Sequence, residues 1–326
     1  MLVSSDMTIS PSEINAITRR ITTISLTMAL IMVLLKAYAL GASGSVSVMA
    51  SLADSGFDVL GSLFTFIAVR IAAAPADAGH RYGHGKFEGL AALVQSGVVL
   101  ASAGFIAFQA IGRIFHPVAV APGMTALVVM AISMAMTGWL VWVQSRAVKK
   151  TGSLALKGDR AHYTADLAAN VVVMIGLVSG ALLNAPGLDA TAGLVIAVWL
   201  AWGAISLMRS SADHLLDGSV PDEDRNRITA LVLEDSNISN VHQLRARMAG
   251  SIMMVQMHVD LDPTLSLEAA HTIVVAAERR IMAAYPQVDV IIHPDPRPSG
   301  MATPPAAEDM DAPVPPADSV RSGPWG

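Results

Sequence analysis

Two pairs of ionisable residues stand inside apolar stretches, with a spacing of four positions in each pair. Asp54 and Asp58 form one pair, and His162 and Asp166 form the other. In a helix this spacing places both side chains on one face, about 6 Å apart. If the two helices are neighbours, the pairs offer three carboxylates and one imidazole, a ligand set for a tetrahedral divalent metal ion. The imidazole favours Zn²⁺, Fe²⁺, Co²⁺ or Cd²⁺ over Mg²⁺ and Ca²⁺.

Other interpretations exist for charged residues in these stretches. The two pairs could instead make hydrogen bonds between helices, or His162 could cap a helix at the membrane interface. Lys36 lies near the end of an apolar stretch, and we expect its ammonium to snorkel to the interface. Arg70 and Glu88 stand at stretch ends, where boundary charges are ordinary.

Two further groups of candidate ligands lie outside the apolar stretches. Asp77, His80 and His84 share a short loop that contains glycines, and their spacing allows chelation from a tight turn. The alternative is an ordinary surface loop. The third group lies near the C-terminal end, where its members could converge or could be scattered, solvent-exposed side chains: His242, His258, His271, His293 and Asp295.

The composition indicates where these residues must be positioned. Of 326 residues, 53% are hydrophobic and 14% are charged, whereas an ordinary soluble domain carries about 25% charged residues. A wholly soluble protein of this length could not bury so much apolar surface. The absence of cysteine excludes disulfide scaffolds, thiol catalysis and thiolate metal sites. A net charge of −5 and 5% aromatic residues argue against a nucleic-acid partner.

The apolar residues are concentrated in the first two thirds of the chain. Six stretches there approach the roughly 20 residues that a membrane-spanning helix needs. We predict spans at 21–40, 46–74, 90–115, 124–143, 162–183 and 188–207.

The basic residues predict the orientation of these spans. They cluster before the first span, in the second and fourth loops and after the sixth span, with examples at Arg19, Arg81, Lys149 and Arg209. By the positive-inside rule, both termini and these two loops face the cytoplasm. A twin-arginine export signal at Arg19-Arg20 is the less favoured interpretation, because a long first span and five more follow it.

The remaining third of the chain has the pattern of a small α+β domain. Amphipathic segments at 221–234 and 266–285 predict helices, and Ser266 is a plausible N-cap. Segments 241–248, 252–261 and 288–293 predict strands, giving the order αββαβ of a ferredoxin-like domain. We expect a cytoplasmic N-terminal segment at 1–20, a transmembrane domain at 21–210, a cytoplasmic domain at 211–298, and a disordered, Pro-rich acidic tail at 299–326.

In this order, the motifs resemble those of the cation diffusion facilitators, most closely the bacterial branch that exports zinc and ferrous iron. The resemblance covers about residues 12–298. One departure is Pro294, where a family relative carries an amide residue. The resemblance is carried by Leu52-Ala53-Asp54 with Asp58, Pro75 to Lys86, His162-Tyr163 with Asp166, Leu215 to Asp217 with Pro221-Asp222-Glu223, and Val290 to Asp295.

The resemblance implies a role for each group of residues. Asp54, Asp58, His162 and Asp166 would form the intramembrane transport site, and the loop residues Asp77, His80 and His84 a secondary site. Lys86 and Asp217 would form a charged pair that couples the domains near the two-fold axis of a homodimer. A binuclear site in the cytoplasmic domain, at the dimer interface, would use His242, His258, His271, His293 and Asp295.

We therefore predict a homodimeric inner-membrane transporter, with no catalytic residues and no prosthetic group. Zn²⁺ is the first choice of substrate and regulatory ligand, with Fe²⁺ and Cd²⁺ next. Three carboxylates left empty in a poor dielectric should take up protons, so metal export by proton antiport follows. His162 is expected to serve as ligand and proton carrier. A membrane-bound metal sensor or scaffold is the alternative, and an intramembrane hydrolase that uses the Asp54–Asp58 pair is less favoured.

Overall fold

A computed structural model describes residues 10–43, 46–115, 124–178 and 188–297. Backbone contacts divide the chain into two compact units. The first contains Met1–Gly218 and Met248–Ile252, and the second contains Ser219–Arg247 and Met253–Gly326. The predicted tail at 299–326 lies outside the described residues.

In the described part of the first unit, six helices correspond to the six predicted spans. Within the described residues, five of them are long and apolar enough to cross a membrane; these five are α1, α2, α3, α4 and α6. The helices are α1 (Pro11–Ser43), α2 (Val46–Ala72), α3 (Phe87–Phe115), α4 (Met124–Thr151), α5 (Leu154–Val178) and α6 (Leu188–Leu215).

Two helix starts differ from the predicted boundaries. Helix α1 begins at Pro11, so half of the predicted N-terminal segment is helical. Helix α5 begins at Leu154, so His162 lies about two turns inside it rather than at its start. The sequence suggested a later start because Lys157, Asp159 and Arg160 interrupt the apolar pattern. The last five residues of the predicted fifth span lie outside the described residues.

Helix α5 is the centre of this unit. It contacts each of the other five helices. Small residues allow this close approach: Ala155 packs with α2 and α3, and Ala165 packs with α3 and α6. Leu156 packs with α1 and α4. Any side chain on α5 that points inward therefore meets residues from several helices.

The outer surface of the unit is apolar, as a lipid-facing surface must be. Large hydrophobic side chains stand exposed on several helices, among them Leu34, Phe57, Phe108 and Trp202. A soluble protein rarely exposes so large a continuous apolar area. The few polar side chains that are buried therefore lie between the helices.

The second unit has the predicted order αββαβ. It comprises α7 (Asp222–Leu233), β1 (Asn240–Ala249), β2 (Ile252–Leu261), α8 (Leu267–Ala284) and β3 (Val288–Pro296). The sheet order is β1-β2-β3, and β3 runs parallel to β2. The Ser266 hydroxyl caps α8 by accepting a hydrogen bond from the Ala269 amide at 3.2 Å. The predicted fold class is confirmed for both units.

Candidate metal sites

A buried polar stripe runs along α2. Ser55, Asp58, Ser62 and Thr65 recur every three or four residues and are each no more than 4% exposed. That period places them on one helix face, opposite the exposed apolar residues. Since α5 is the central helix, this stripe is turned towards it.

Helix α5 completes a cluster of ligand atoms with Asp58. The Nε2 atom of His162 lies 3.3 Å from Oδ1 of Asp58 and 3.6 Å from Oδ2 of Asp166. One ligand atom from each of these three residues lies within 4.8 Å of the others. Two donors bound about 2.1 Å from a tetrahedral metal ion stand about 3.4 Å apart, so the spacing fits such an ion.

The cluster also leaves ligand atoms without hydrogen bonds. Among the described residues, both ring nitrogens of His162 and Oδ2 of Asp166 are buried and have no hydrogen-bond partner. Buried polar atoms without partners are costly, and native structures satisfy nearly all of them. A metal ion bound between Asp58, His162 and Asp166 would satisfy Nε2 of His162 and Oδ2 of Asp166.

The structure does not bring Asp54 into this cluster. Asp54 lies one turn before Asp58 on α2 and is an exposed residue. The described cluster therefore holds three of the four predicted ligands: Asp58, His162 and Asp166.

Lys36 does not snorkel, contrary to expectation. Its side chain is buried, and its Nζ donates to the Ser51 carbonyl at 3.1 Å and to the Ser55 hydroxyl at 2.6 Å. The ammonium is thus turned towards α2 and reaches the start of the polar stripe. The sequence could not indicate this, because the direction of a lysine near a helix end depends on the packing of α1 against α2.

Buried hydrogen bonds surround the cluster, and one of them involves Asp159, which lies about one turn before His162 on α5. The amide of Gln144 on α4 donates to Oδ2 of Asp159 at 2.8 Å and to the Ser25 hydroxyl of α1 at 3.0 Å. The hydroxyls of Ser62 and Tyr163 are 2.6 Å apart. These contacts join α1, α2, α4 and α5 around the cluster. No sequence pattern predicted these contacts.

The start of α5 is held by a carboxylate from α3. Glu88 Oε2 accepts from the Ser153 hydroxyl at 2.8 Å and from the Leu154 amide at 3.2 Å. A carboxylate at a helix N-terminus satisfies free amides and the helix dipole. Glu88 is therefore more than a boundary charge, because it fixes the helix that carries His162 and Asp166.

The loop between α2 and α3 forms the second cluster. One ligand atom each from Asp77, His80 and His84 lies within 4.8 Å of the others, and each histidine has a ring nitrogen 3.5 Å from an Asp77 oxygen. The Asp77 carboxylate accepts hydrogen bonds from the His80 amide at 2.7 Å and the Gly79 amide at 2.8 Å. These bonds hold the pKa of Asp77 below its usual range, so a ligand oxygen stays ionised.

The third cluster lies in the second unit, with Asp295 at its centre. Oδ2 of Asp295 lies 2.8 Å from Nδ1 of His258 and 3.5 Å from Nε2 of His242. Oδ1 of Asp295 lies 3.3 Å from Nε2 of His293. Because the two carboxylate oxygens face different histidines, Asp295 is able to bridge two metal ions.

The register of the sheet brings these residues together. The parallel pairing sets His258 beside His293 and Asp260 beside Asp295. Asp260 is buried and lies 3.2 Å from Nε2 of His242, and it accepts a hydrogen bond from the side-chain amide (Nδ2) of Asn240 at 3.3 Å. Asp260 was not among the predicted residues, although its position two residues after His258 places both on one face of a strand.

Three predicted residues remain: His271, Lys86 and Asp217. His271 is exposed on α8 and lies outside the described clusters. Lys86 pairs with Asp217 at 3.0 Å and also donates to the Leu215 carbonyl at 3.1 Å, both within the first unit. Asp217 has a φ of 61°, a left-handed conformation that most residues avoid. Its carboxylate thus reaches Lys86 from a turn just after α6.

Comparison with known proteins shows the family of the chain. The cation efflux transmembrane domain matches residues 22–216, which contain α2, α5 and the loop cluster. The cytoplasmic domain of cation efflux proteins matches residues 220–297. The chain is a cation diffusion facilitator.

Several curated proteins are similar to this facilitator over most of their length. The cation-efflux pump FieF of Shewanella oneidensis is 38% identical over 275 residues, which cover 83% of this chain and 92% of that protein. FieF of Cronobacter sakazakii is 34% identical over 82% of this chain and 89% of that protein. Protein p34 of Rickettsia prowazekii is 33% identical, with 84% and 90% covered.

Among solved structures, the protein CzrB is 28% identical over 24% of this chain and 100% of that chain, with a TM-score of 0.24. The family model and the long apolar helices show that the facilitator is a multi-pass membrane protein of a cation efflux family, and its described residues contain three candidate metal clusters.

Proposed function

We propose that this facilitator exports a divalent transition metal ion from the cytoplasm in exchange for protons. Zn²⁺ is the first choice, followed by Fe²⁺ and Cd²⁺. The observation that carries the proposal is the cluster of Asp58, His162 and Asp166, whose ligand atoms converge between α2 and the central helix α5. The cation-efflux pumps named FieF, to which the chain is similar, support the same direction of transport.

The ligand chemistry supports a transition metal ion. An imidazole and carboxylates suit Zn²⁺, Fe²⁺ and Cd²⁺, whereas Mg²⁺ and Ca²⁺ prefer oxygen alone. Asp54 is proposed as the fourth ligand, entering from the next turn of α2 when the ion binds. The chain contains no cysteine, so oxygen and imidazole must hold the ion.

Proton exchange follows from the charge of the ligands. Without the ion, the carboxylates repel one another between apolar helices, and protons relieve that repulsion. An entering metal ion displaces those protons from its ligands, and protons arriving from the opposite side displace the metal ion. His162 bridges the two carboxylates and is proposed as a proton carrier.

The other two clusters are proposed as regulatory metal sites. The loop cluster and the Asp295 cluster lie outside the spanning helices, where they can sample cytoplasmic metal. We assign residues 21–210 to transport and residues 211–298 to regulation, in a homodimer of the bacterial inner membrane with cytoplasmic termini. His271 is proposed to join the Asp295 cluster in the dimer, and the Lys86–Asp217 pair to couple its domains.

Transport by purified protein in proteoliposomes tests the proposal. Zn²⁺ entry into vesicles that carry an imposed proton gradient is followed with an internal metal indicator. Wild-type protein should move Zn²⁺ faster with the gradient than after nigericin collapses it, and Asp58→Ala should abolish the flux. Metal binding that depends on Asp58 without any proton-linked flux would show a membrane metal sensor instead.

A further inference from the structure

Lys36 is a buried charge that the transport scheme does not use. It lies on α1, about two turns before that helix ends at Ser43. A lysine this close to a helix end can usually extend its ammonium to water. Lys36 is instead only 5% exposed, and its described hydrogen-bond acceptors are the neutral groups of Ser51 and Ser55.

Neutral acceptors do not balance a buried positive charge. An ammonium taken out of water requires opposite charge as well as hydrogen bonds. The described carboxylates close to these acceptors are Asp54 and Asp58 on α2, together with Asp166, which clusters with Asp58. The two acceptors of Lys36 lie on the same helix as two of these carboxylates: Ser55 is adjacent to Asp54 and three residues before Asp58.

We propose that Lys36 is a fixed cation of the intramembrane metal site. Its positive charge gives the site a net charge that a divalent ion neutralises, and its repulsion of the bound ion limits the affinity of the site for that ion. It does not coordinate the metal ion. This inference rests on the function proposed above for Asp58, His162 and Asp166.

The charge count supports this role. The carboxylates of Asp54, Asp58 and Asp166 contribute three negative charges, and Lys36 leaves a net charge of −2. A divalent ion then brings the site to neutrality, whereas a trivalent ion leaves an excess of positive charge. Asp159 is outside this count, because its carboxylate accepts its hydrogen bond from Gln144 of α4 and is the same in every variant compared.

Removing the charge of Lys36 should therefore strengthen metal binding. Coulomb repulsion between the ammonium and a bound ion grows in proportion to the charge of the ion. Lys36→Gln keeps a donor for Ser51 and Ser55 but is neutral. We expect it to raise Zn²⁺ affinity by at least about tenfold. If the gain for a divalent ion is tenfold, proportionality predicts about thirtyfold for Tb³⁺.

The test measures binding of Zn²⁺, Mn²⁺ and Tb³⁺ to the full-length protein in nanodiscs. Asp77→Ala and Asp295→Ala are present throughout to remove the other two clusters. Lys36→Arg preserves the charge and should bind Zn²⁺ within about threefold of wild type. Ser55→Ala removes one hydrogen bond of Lys36 but no charge, and it should also stay within about threefold. Lys36→Met replaces Lys36→Gln if the latter does not elute as folded protein.

The outcomes separate this inference from the proposed function. Zn²⁺ affinity that falls or is unchanged in the neutral variant, while binding still depends on Asp58, would overturn the role of Lys36 alone. The ratio of Tb³⁺ affinity to Mn²⁺ affinity should rise in the neutral variant, and a purely structural role of Lys36 would not raise it. A ratio that is unchanged or lower would therefore also overturn the role of Lys36. Zn²⁺ binding that does not depend on Asp58 would overturn both proposals.

Discussion

Nε2 of His162 lies 3.3 Å from Oδ1 of Asp58, so two different helices place ligand atoms around one point. Neither helix can supply this arrangement alone. The separation between α2 and α5 therefore controls the size of the site. A shift of one helix by about 1 Å would change the distances between these ligand atoms. It would therefore alter the fit to a metal ion more than most substitutions on the outer surface of either helix.

The identity of residue 162 should set the choice of metal ion. His162→Asp makes the ligand set all oxygen, which suits Mn²⁺ better than Zn²⁺. We expect the flux ratio of Zn²⁺ to Mn²⁺ to fall at least about tenfold, because imidazole is lost as a ligand. Competition flux among Zn²⁺, Cd²⁺, Fe²⁺ and Mn²⁺ in proteoliposomes measures this. His162→Ala should lose transport of all four, and an unchanged order of preference in His162→Asp would contradict the prediction.

Glu88 should stabilise the start of α5. Loss of a capping acceptor costs about 0.5–2 kcal/mol, so Glu88→Ala should open the first turn of this helix. Hydrogen exchange at residues 154–157 should become faster, and Zn²⁺ binding should weaken severalfold because His162 and Asp166 are on the same helix.

Glu88→Gln is the matched variant, because it keeps an acceptor oxygen and loses the charge. It should show a smaller change than Glu88→Ala. Equal exchange rates in wild type and Glu88→Ala would argue that Ser153 caps α5 without help.

The Asp295 cluster should depend on Asp260 as well. Asp295→Asn removes the central ligand and should lower Zn²⁺ affinity at this cluster at least a hundredfold. Asp260→Asn should cost about ten- to a hundredfold, the usual effect of losing a group that orients a ligand histidine. Calorimetric titration of the full chain, with the other two clusters removed by Asp58→Ala and Asp77→Ala, measures both. Asp289→Asn, an exposed change of the same charge on β3, should bind like wild type.

Tyr285 should titrate at unusually high pH. Burial and the nearby Asp224 carboxylate, which accepts its hydrogen bond at 3.0 Å, raise the pKa of Tyr285 to about 12. The pKa of an unfolded tyrosine is about 10. Because the pKa of Tyr285 is higher in the folded protein than in the unfolded chain, its protonated hydroxyl contributes to the free energy of unfolding. This contribution is complete below about pH 10 and is lost as pH rises through 12.

Tyrosinate absorbance of wild type minus Tyr285→Phe isolates this titration. Asp224→Asn removes the negative charge and should move the transition down in pH. No movement would mean that burial alone holds the hydroxyl proton.

The candidate ligands could be picked out from the sequence, because their chemistry depends on local spacing. The four-residue spacing of His162 and Asp166 identifies a shared helix face whatever the tertiary structure is. Few charged residues lie inside the apolar stretches of this sequence, so each one is a candidate functional residue. The fold class was predictable for the same reason, since hydropathy and periodicity are local properties.

The groups that support the ligands were not predictable in the same way. Glu88 caps a helix that begins far from it in sequence, and Asp260 needs the strand register to meet Asp295. The direction of Lys36 depends on how α1 packs against α2. Each of these depends on which elements are neighbours, and a single sequence does not contain that information.

The pairing of β2 with β3 has a consequence for how the chain can vary. Side chains alternate between the two faces of a strand, so one inserted residue between Val288 and His293 would reverse every later side chain. His293 and Asp295 would then point away from His258. Insertions and deletions among homologues should therefore be confined to the turns around β3. A protein engineer who grafts these residues onto another sheet must therefore keep the spacing between the start of the strand and His293 and Asp295.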